Sequence, residues 1–161
     1  MDPWTERRGK GRPSRLPVIF QKYDLPLYFV TVCTLNRQRA LLNDEAHDSF
    51  RDYAVVGATS KAVAVGRYVM MPDHLHFFVR GNENFVLSTW VRGLKRAVGE
   101  AVRSRMPGFK WQRGFFDHLL RNSESYAQKW EYVRQNPVRS GLVEDAADWP
   151  FAGEIVRIDR V

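Results

Sequence analysis

"KAVAVGRYVMMPDHLHFFVR", residues 61–80, sets the topology of the chain. Two runs rich in β-branched and aromatic residues meet at a tight connection around Pro72, so they read as a hairpin, one strand up to Pro72 and a second over residues 74–80. Side chains alternate along a strand, which places Pro72, His74, His76, Phe78 and Arg80 on one face and Asp73, Leu75, Phe77 and Val79 on the other. The second set is the natural core face. The imidazoles of His74 and His76 then stand one strand step apart on the less covered side of the sheet. At that spacing they can share a metal ion, or they can hydrogen-bond to neighbours in a half-buried sheet; as a metal site the pair alone is incomplete.

On the N-terminal side, "LPLYFVTVCTL" (25–35) reads as a strand bounded by Pro26 and Asn36. "DEAHDSFRDYAVVGA" (44–58) reads as a helix that opens on acidic residues and stops near Gly57. After the hairpin, residues 84–105 hold the longest helical pattern, with Leu87, Trp90, Val91, Leu94, Val98, Ala101 and Val102 on one apolar stripe. "KWQRGFFDHLLR" (110–121) reads as one or two short strands turning at Gly114. A last helix opens near Asn122 or Ser123, both good N-caps, and must end close to Pro137. The order β-α-β-β-α-β followed by a helix is that of an α+β, ferredoxin-like α/β sandwich: an antiparallel sheet, helices packed on one face, and a C-terminal helix carrying a tyrosine. Such folds host many functions, so the order does not identify the activity.

With 161 residues and 44% hydrophobic content, the chain is long enough to bury a core without cross-links. We expect a basic arm over residues 1–22 and one domain over 23–161. A single cysteine, Cys33, and an opening whose longest apolar run is "LPVIF" (16–20) indicate a cytoplasmic protein with no membrane segment. A net charge of +7 and a pI near 9.9 favour a polyanionic partner, nucleic acid first, because a basic surface neutralises phosphates and releases their counterions. Arg7, Arg8, Lys10, Arg12, Arg15 and Lys22 outnumber Asp2 and Glu6 in the arm, which is either a disordered or clamping DNA-binding segment or a solubilising tail. Arg92, Lys95, Arg96 and Arg103 lie opposite the apolar stripe of the long helix and form either a solvated face or a set of phosphate contacts. Lys110 and Arg113 flank Trp111, Phe115 and Phe116, aromatics that either fill the sheet core or stack exposed bases.

"WEYVRQNPV" (130–138) spaces Tyr132 and Asn136 four apart, on one helical face, while Tyr126, Trp130 and Val133 form a different stripe that packs inward. Tyr132 is therefore not the aromatic the core needs. It is either a half-exposed packing tyrosine beside a helix-ending Asn-Pro, or a reactive phenol beside a polar ligand.

"YFVTV" (28–32), "MPDHLHFFV" (71–79), "LKRAV" (94–98), "WQRGFFDHLLR" (111–121), "YVRQNPVRSGLV" (132–143) and "DWPF" (148–151) closely resemble, in this order, the HUH-type single-tyrosine transposases, in their REP-associated tyrosine transposase branch. The similarity spans roughly residues 15–151. It implies that His74 and His76 are the catalytic metal-binding pair, that Tyr132 is the catalytic tyrosine, and that Asn136 is the polar third metal ligand, often glutamine in relatives. It further implies Mg²⁺ or Mn²⁺ as cofactor, cleavage of single-stranded or hairpin DNA through a 5′-phosphotyrosine, repetitive palindromic elements as targets, and a homodimer in some relatives. "WPFAGE" (149–154) departs from the serines that many relatives carry there. Asp117 and His118 receive no role. Two other readings stand beside the transposase: a domesticated hairpin-DNA-binding protein, and a small-molecule metalloenzyme using the histidine pair with Cys33.

Overall fold

The computed structural model describes residues 14–15, 25–120 and 126–158, with Ser14 and Arg15 described by their backbone alone. The elements are β1 (Ser14–Arg15), β2 (Leu27–Cys33), α1 (Asp44–Ser60), β3 (Val63–Met70), β4 (His74–Gly81), α2 (Leu87–Arg103), β5 (Phe116–Leu120), α3 (Tyr126–Arg134), α4 (Asn136–Arg139), β6 (Ala152–Glu154) and β7 (Val156–Arg157). Five strands form an antiparallel sheet in the order β5-β2-β4-β3-β6. The first four of these carry the ferredoxin-like β-α-β-β-α-β connectivity, and β6 extends it at one edge. β1 and β7 pair in parallel in a separate ribbon.

The hairpin forms as its sequence predicts, with Met70 opposite Leu75 and Val69 opposite His76. Leu75, Phe77 and Val79 are fully buried under α1 and α2, where Phe77 packs on Phe50 and Trp90. α1 starts where Asn43 caps it, Oδ1 accepting from the Ala46 N–H at 2.8 Å. It does not stop at Gly57. A Cβ there would lie 3.3 Å from the Val63 carbonyl oxygen and 3.4 Å from the Trp90 indole nitrogen, so this glycine admits a close approach within the helix, and α1 runs on to Ser60.

The histidine face is covered less than its opposite, but it is not open. α3 lies on it, with Tyr126, Trp130 and Val133 buried as their spacing predicts and Phe78 edge-on to Tyr126 and Trp130. The docking uses an irregularity in β3, whose pairing with β4 shifts register between Val65 and Tyr68. There the Arg67 N–H donates to Tyr126 Oη at 2.8 Å, and a Cβ on Gly66 would fall 2.4 Å from that oxygen. Arg67 also lies 5.8 Å from the Tyr126 and Trp130 ring centroids and pairs with Glu154 at 3.0 Å. α3 ends at Arg134, and Pro137 sits inside the short separate turn α4, near its start, where a missing N–H costs little. The Asn122 and Ser123 N-caps lie outside the described residues.

Candidate active site

The antiparallel register brings Thr31 of β2 directly opposite His76. Thr31 Oγ1 and His76 Nδ1 are 2.7 Å apart, and the Phe29 ring stacks on the His76 ring at 5.2 Å. His74 Nδ1 donates to Asp73 Oδ1 at 2.7 Å. Both Nδ1 atoms thus have protein partners, which orients the rings, and the two rings meet edge to face at 4.6 Å. α4 brings the third polar group: Asn136 Nδ2 lies 3.4 Å from His74 Nε2. Turning that amide over exchanges Nδ2 for Oδ1 at the same place. Two supported imidazoles and an amide oxygen fit a divalent ion. Among the described residues no three His, Cys, Asp or Glu side chains gather to hold one, so such an ion would keep several coordination positions open.

Burial disfavours the protonated form of both imidazoles. Burial, then the charges of His74, Arg139, Arg37 and Lys129, push His76 down to about 3, so its ring is neutral at physiological pH. His74 is also lowered, chiefly by burial and against the opposing pull of Asp73. Burial alone would raise the Asp73 carboxyl, but hydrogen bonds from His74 and Arg37 outweigh it and hold it low. Arg37 Nε donates to Asp73 Oδ2 at 2.9 Å, while its Nη2 lies 3.4 Å from His74 Nδ1 and its Nη1 3.3 Å from Cys33 Sγ. The backbone that delivers this guanidinium is left-handed at two successive non-glycine residues, Asn36 (φ 55°) and Arg37 (φ 56°). The conformation is tolerable for asparagine and costs about 1 kcal/mol or more for arginine.

Tyr132 is 66% exposed on the outer side of α3. The Arg139 guanidinium lies 4.1 Å from its ring centroid, and Arg139 Nη1 donates to the Tyr132 carbonyl at 2.7 Å. Lys129 Nζ lies 5.0 Å from the centroid of Phe29, the ring stacked on His76.

The structure brings His74, His76 and Asn136 together and leaves the Tyr132 side chain open to solvent on the preceding helix. It distributes the expected DNA-contacting residues unevenly. Arg92, Arg96, Lys110 and Arg113 are exposed. Lys95 donates to the Gln112 and Gly114 carbonyls, each at 2.9 Å, so it braces the loop before β5. Arg103 is half-buried over Gly99 beside Trp111. Arg7, Arg8, Lys10 and Arg12 lie outside the described residues, and Arg15 appears only through its backbone pairing with Arg157. Trp111 is partly buried and donates to the Lys95 carbonyl at 2.7 Å, and Phe115 packs on the core, but Phe116 is 62% exposed. Phe116 lies opposite Thr31, which lies opposite His76, so this aromatic shares a sheet face and a cross-strand row with the imidazoles. Asp117 and His118 are exposed on the same edge strand. Cys33 is buried. The sequence reading did not single out Thr31, Asp73, Arg37, Lys129 or Arg139; only Asp73, adjoining His74, carried a local signal.

A family model described as "Transposase IS200 like" matches residues 23–136. A REP-associated tyrosine transposase of Escherichia coli (strain K12) is 29% identical over 130 residues, covering 78% of this chain and 74% of that one. A Haemophilus influenzae protein provisionally given the same name is 26% identical over 138 residues, covering 78% of each. A solved structure of a REP-associated tyrosine transposase bound to a REP hairpin superposes with a TM-score of 0.64 at 26% identity, covering 79% of this chain and 75% of that chain. Among the described residues no helix is long and apolar enough to cross a membrane.

Proposed function

The chain belongs to the family of IS200-like transposases, and from that membership we propose that it is a metal-dependent nuclease and strand transferase acting on single-stranded or hairpin DNA in the cytoplasm. The observation that carries the reading is the meeting of Asn136 with His74 at 3.4 Å, because it sets an amide beside the imidazole pair on the element that directly follows the helix of the exposed Tyr132. His74, His76 and Asn136 would hold Mg²⁺ or Mn²⁺, which when bound withdraws charge from the scissile phosphate. Asp73 and Thr31 keep the two rings in position, and burial disfavours protonation of both. Tyr132 gives up its phenolic proton to water as Oη attacks the phosphorus; a phosphorus–Oη bond forms, the bond to the 3′ oxygen breaks, and that oxygen takes up a proton to leave as a 3′-hydroxyl. The product is a 5′-phosphotyrosine, and because it retains a phosphodiester linkage, rejoining needs no nucleotide triphosphate. Phe116, on the same sheet face, offers a surface for an unpaired base. A hairpin substrate is supported by the likeness to a transposase bound to a REP hairpin.

Incubation with labelled hairpin-bearing single-stranded DNA and Mn²⁺ tests this on a denaturing gel. A protein–DNA adduct is expected, with Tyr132→Phe abolishing it and leaving DNA binding intact. Binding without any adduct in the wild-type protein would instead support a hairpin-binding protein that no longer cuts.

A further inference from the structure

We propose that Arg139 holds the Tyr132 phenol in its attacking position and donates to the scissile phosphate; the inference rests on the reading of Tyr132 as nucleophile. A tyrosine this exposed would ordinarily sample several rotamers, and ordering it costs free energy that each turnover must supply. Here the guanidinium lies over the ring at 4.1 Å and is itself pinned by the 2.7 Å bond from Nη1 to the Tyr132 carbonyl. That carbonyl is one of the last four of α3, which the helix cannot satisfy for itself.

The turn that presents Arg139 also presents Asn136. Asn136 opens α4 and meets His74, Pro137 stiffens the turn, and the Arg139 N–H closes it on the Gln135 carbonyl at 2.9 Å. One four-residue element therefore sets an amide beside His74 and a guanidinium over the phenol. Its neighbours are engaged differently: Arg134 pairs with Glu131 at 2.8 Å and Arg37 with Asp73 at 2.9 Å. Among the described residues no carboxylate pairs with Arg139, and Nε and Nη2 remain as donors after Nη1 is used. A planar fork with two donors beside the nucleophile matches two non-bridging phosphate oxygens, whose charge must be met as the phosphoryl group transfers.

A plain helix-capping role would account for the carbonyl bond alone, so the test separates capping from chemistry. Arg139→Gln keeps a donor for the Tyr132 carbonyl and removes the charge and fork; Arg139→Lys keeps the charge alone. Single-turnover adduct formation is measured on hairpin DNA with saturating Mn²⁺, beside DNA affinity and the melting temperature. The expectation for Arg139→Gln is a rate about 100-fold below wild type, the scale of losing one preorganised donor to a transferring group, with a DNA Kd within about threefold and an unchanged melting temperature. Arg139→Lys should recover about tenfold of that loss, charge without fork geometry. A folded Arg139→Gln protein whose adduct rate stays within threefold of wild type overturns the proposal, as does a rate loss that merely follows loss of DNA binding. If Arg139→Gln does not fold, the milder Arg139→Lys decides, a wild-type rate there refuting the fork. Absence of any adduct in the wild-type protein sinks the reading of Tyr132, and this inference with it, before any Arg139 variant is compared.

Discussion

Gly66→Ala should undock the helix that carries Tyr132. In an exposed strand the change would be neutral or stabilising by up to about 1 kcal/mol, because alanine loses less backbone entropy on folding than glycine. Here the new Cβ would fall 2.4 Å from Tyr126 Oη and 2.8 Å from Ile158 Cδ1, each about 1 Å inside an ordinary contact. Either Tyr126 retreats, losing the 2.8 Å bond from the Arg67 N–H, or β3 moves. Overpacking costs about 1–3 kcal/mol and an orphaned buried N–H a similar amount, so we expect a net loss of about 3 kcal/mol, or roughly 10 °C in melting temperature for a chain of this size. Because Tyr126 and Trp130 are the buried anchors of α3, the Mn²⁺-dependent adduct rate should fall even at a temperature where the protein stays folded. Tyr126→Phe removes the offending oxygen, so the double variant should be more stable than Gly66→Ala alone. The assays are thermal melts by circular dichroism and adduct formation at 20 °C below the variant's own midpoint, roughly where mesophilic domains are fully folded. A Gly66→Ala protein with an unchanged midpoint and an unchanged rate would refute the docking argument.

Thr31→Val keeps the shape of the residue opposite His76 and removes its 2.7 Å hydrogen bond, so Mn²⁺ affinity, read by calorimetric titration, should fall by about tenfold or more; an unchanged affinity contradicts the supporting role of Thr31. In metal-free protein the unfolded chain takes a proton on His76 near pH 6.5 and the folded one refuses it until about 3, so the stability this residue contributes is fully present above pH 6.5 and is lost as the pH falls towards 3. The slope from this residue reaches at most about 1.4 kcal/mol per pH unit, and urea melts between pH 7 and pH 4.5 should show a shallower loss in His76→Gln. Phe116→Ala removes an aromatic that is 62% exposed, so the midpoint should hold while affinity for unpaired DNA drops by about 1–3 kcal/mol; equal affinity in a fluorescence titration removes Phe116 from the DNA path.

The element order was legible because each strand and helix carries its own period, and the tight connection at Pro72 makes the two strands of residues 61–80 neighbours, though not the register shift between Val65 and Tyr68. The histidine pair was legible for the same reason, since alternation alone puts His74 and His76 on a common face. Gly57 was misread as a helix stop because a local pattern cannot show that a carbonyl and an indole approach it from elsewhere. Lys95 reads as part of a basic ridge, yet the loop before β5 folds back over it and takes its ammonium. Thr31, Arg37 and Arg139 stayed hidden for a related reason. Their roles depend on register between distant strands, on a left-handed turn at Asn36 and Arg37, and on a break in the final helix that turns Arg139 back over Tyr132. The covering of the histidine face by α3 follows from the apolar stripe of Tyr126, Trp130 and Val133, but the stripe does not say which side of the sheet receives it.

Tryptic digestion of the DNA adduct identifies the residue that attacks the phosphorus. Cleavage after Lys129 and Arg134 releases Trp130-Glu131-Tyr132-Val133-Arg134, in which Tyr132 carries the only hydroxyl side chain. After nuclease trimming, mass spectrometry should find this peptide bearing a nucleotide through its 5′ phosphate, formed with Mn²⁺ and absent when the ion is chelated. A nucleotide on any other peptide, or an adduct that forms equally well without a divalent ion, would contradict the account.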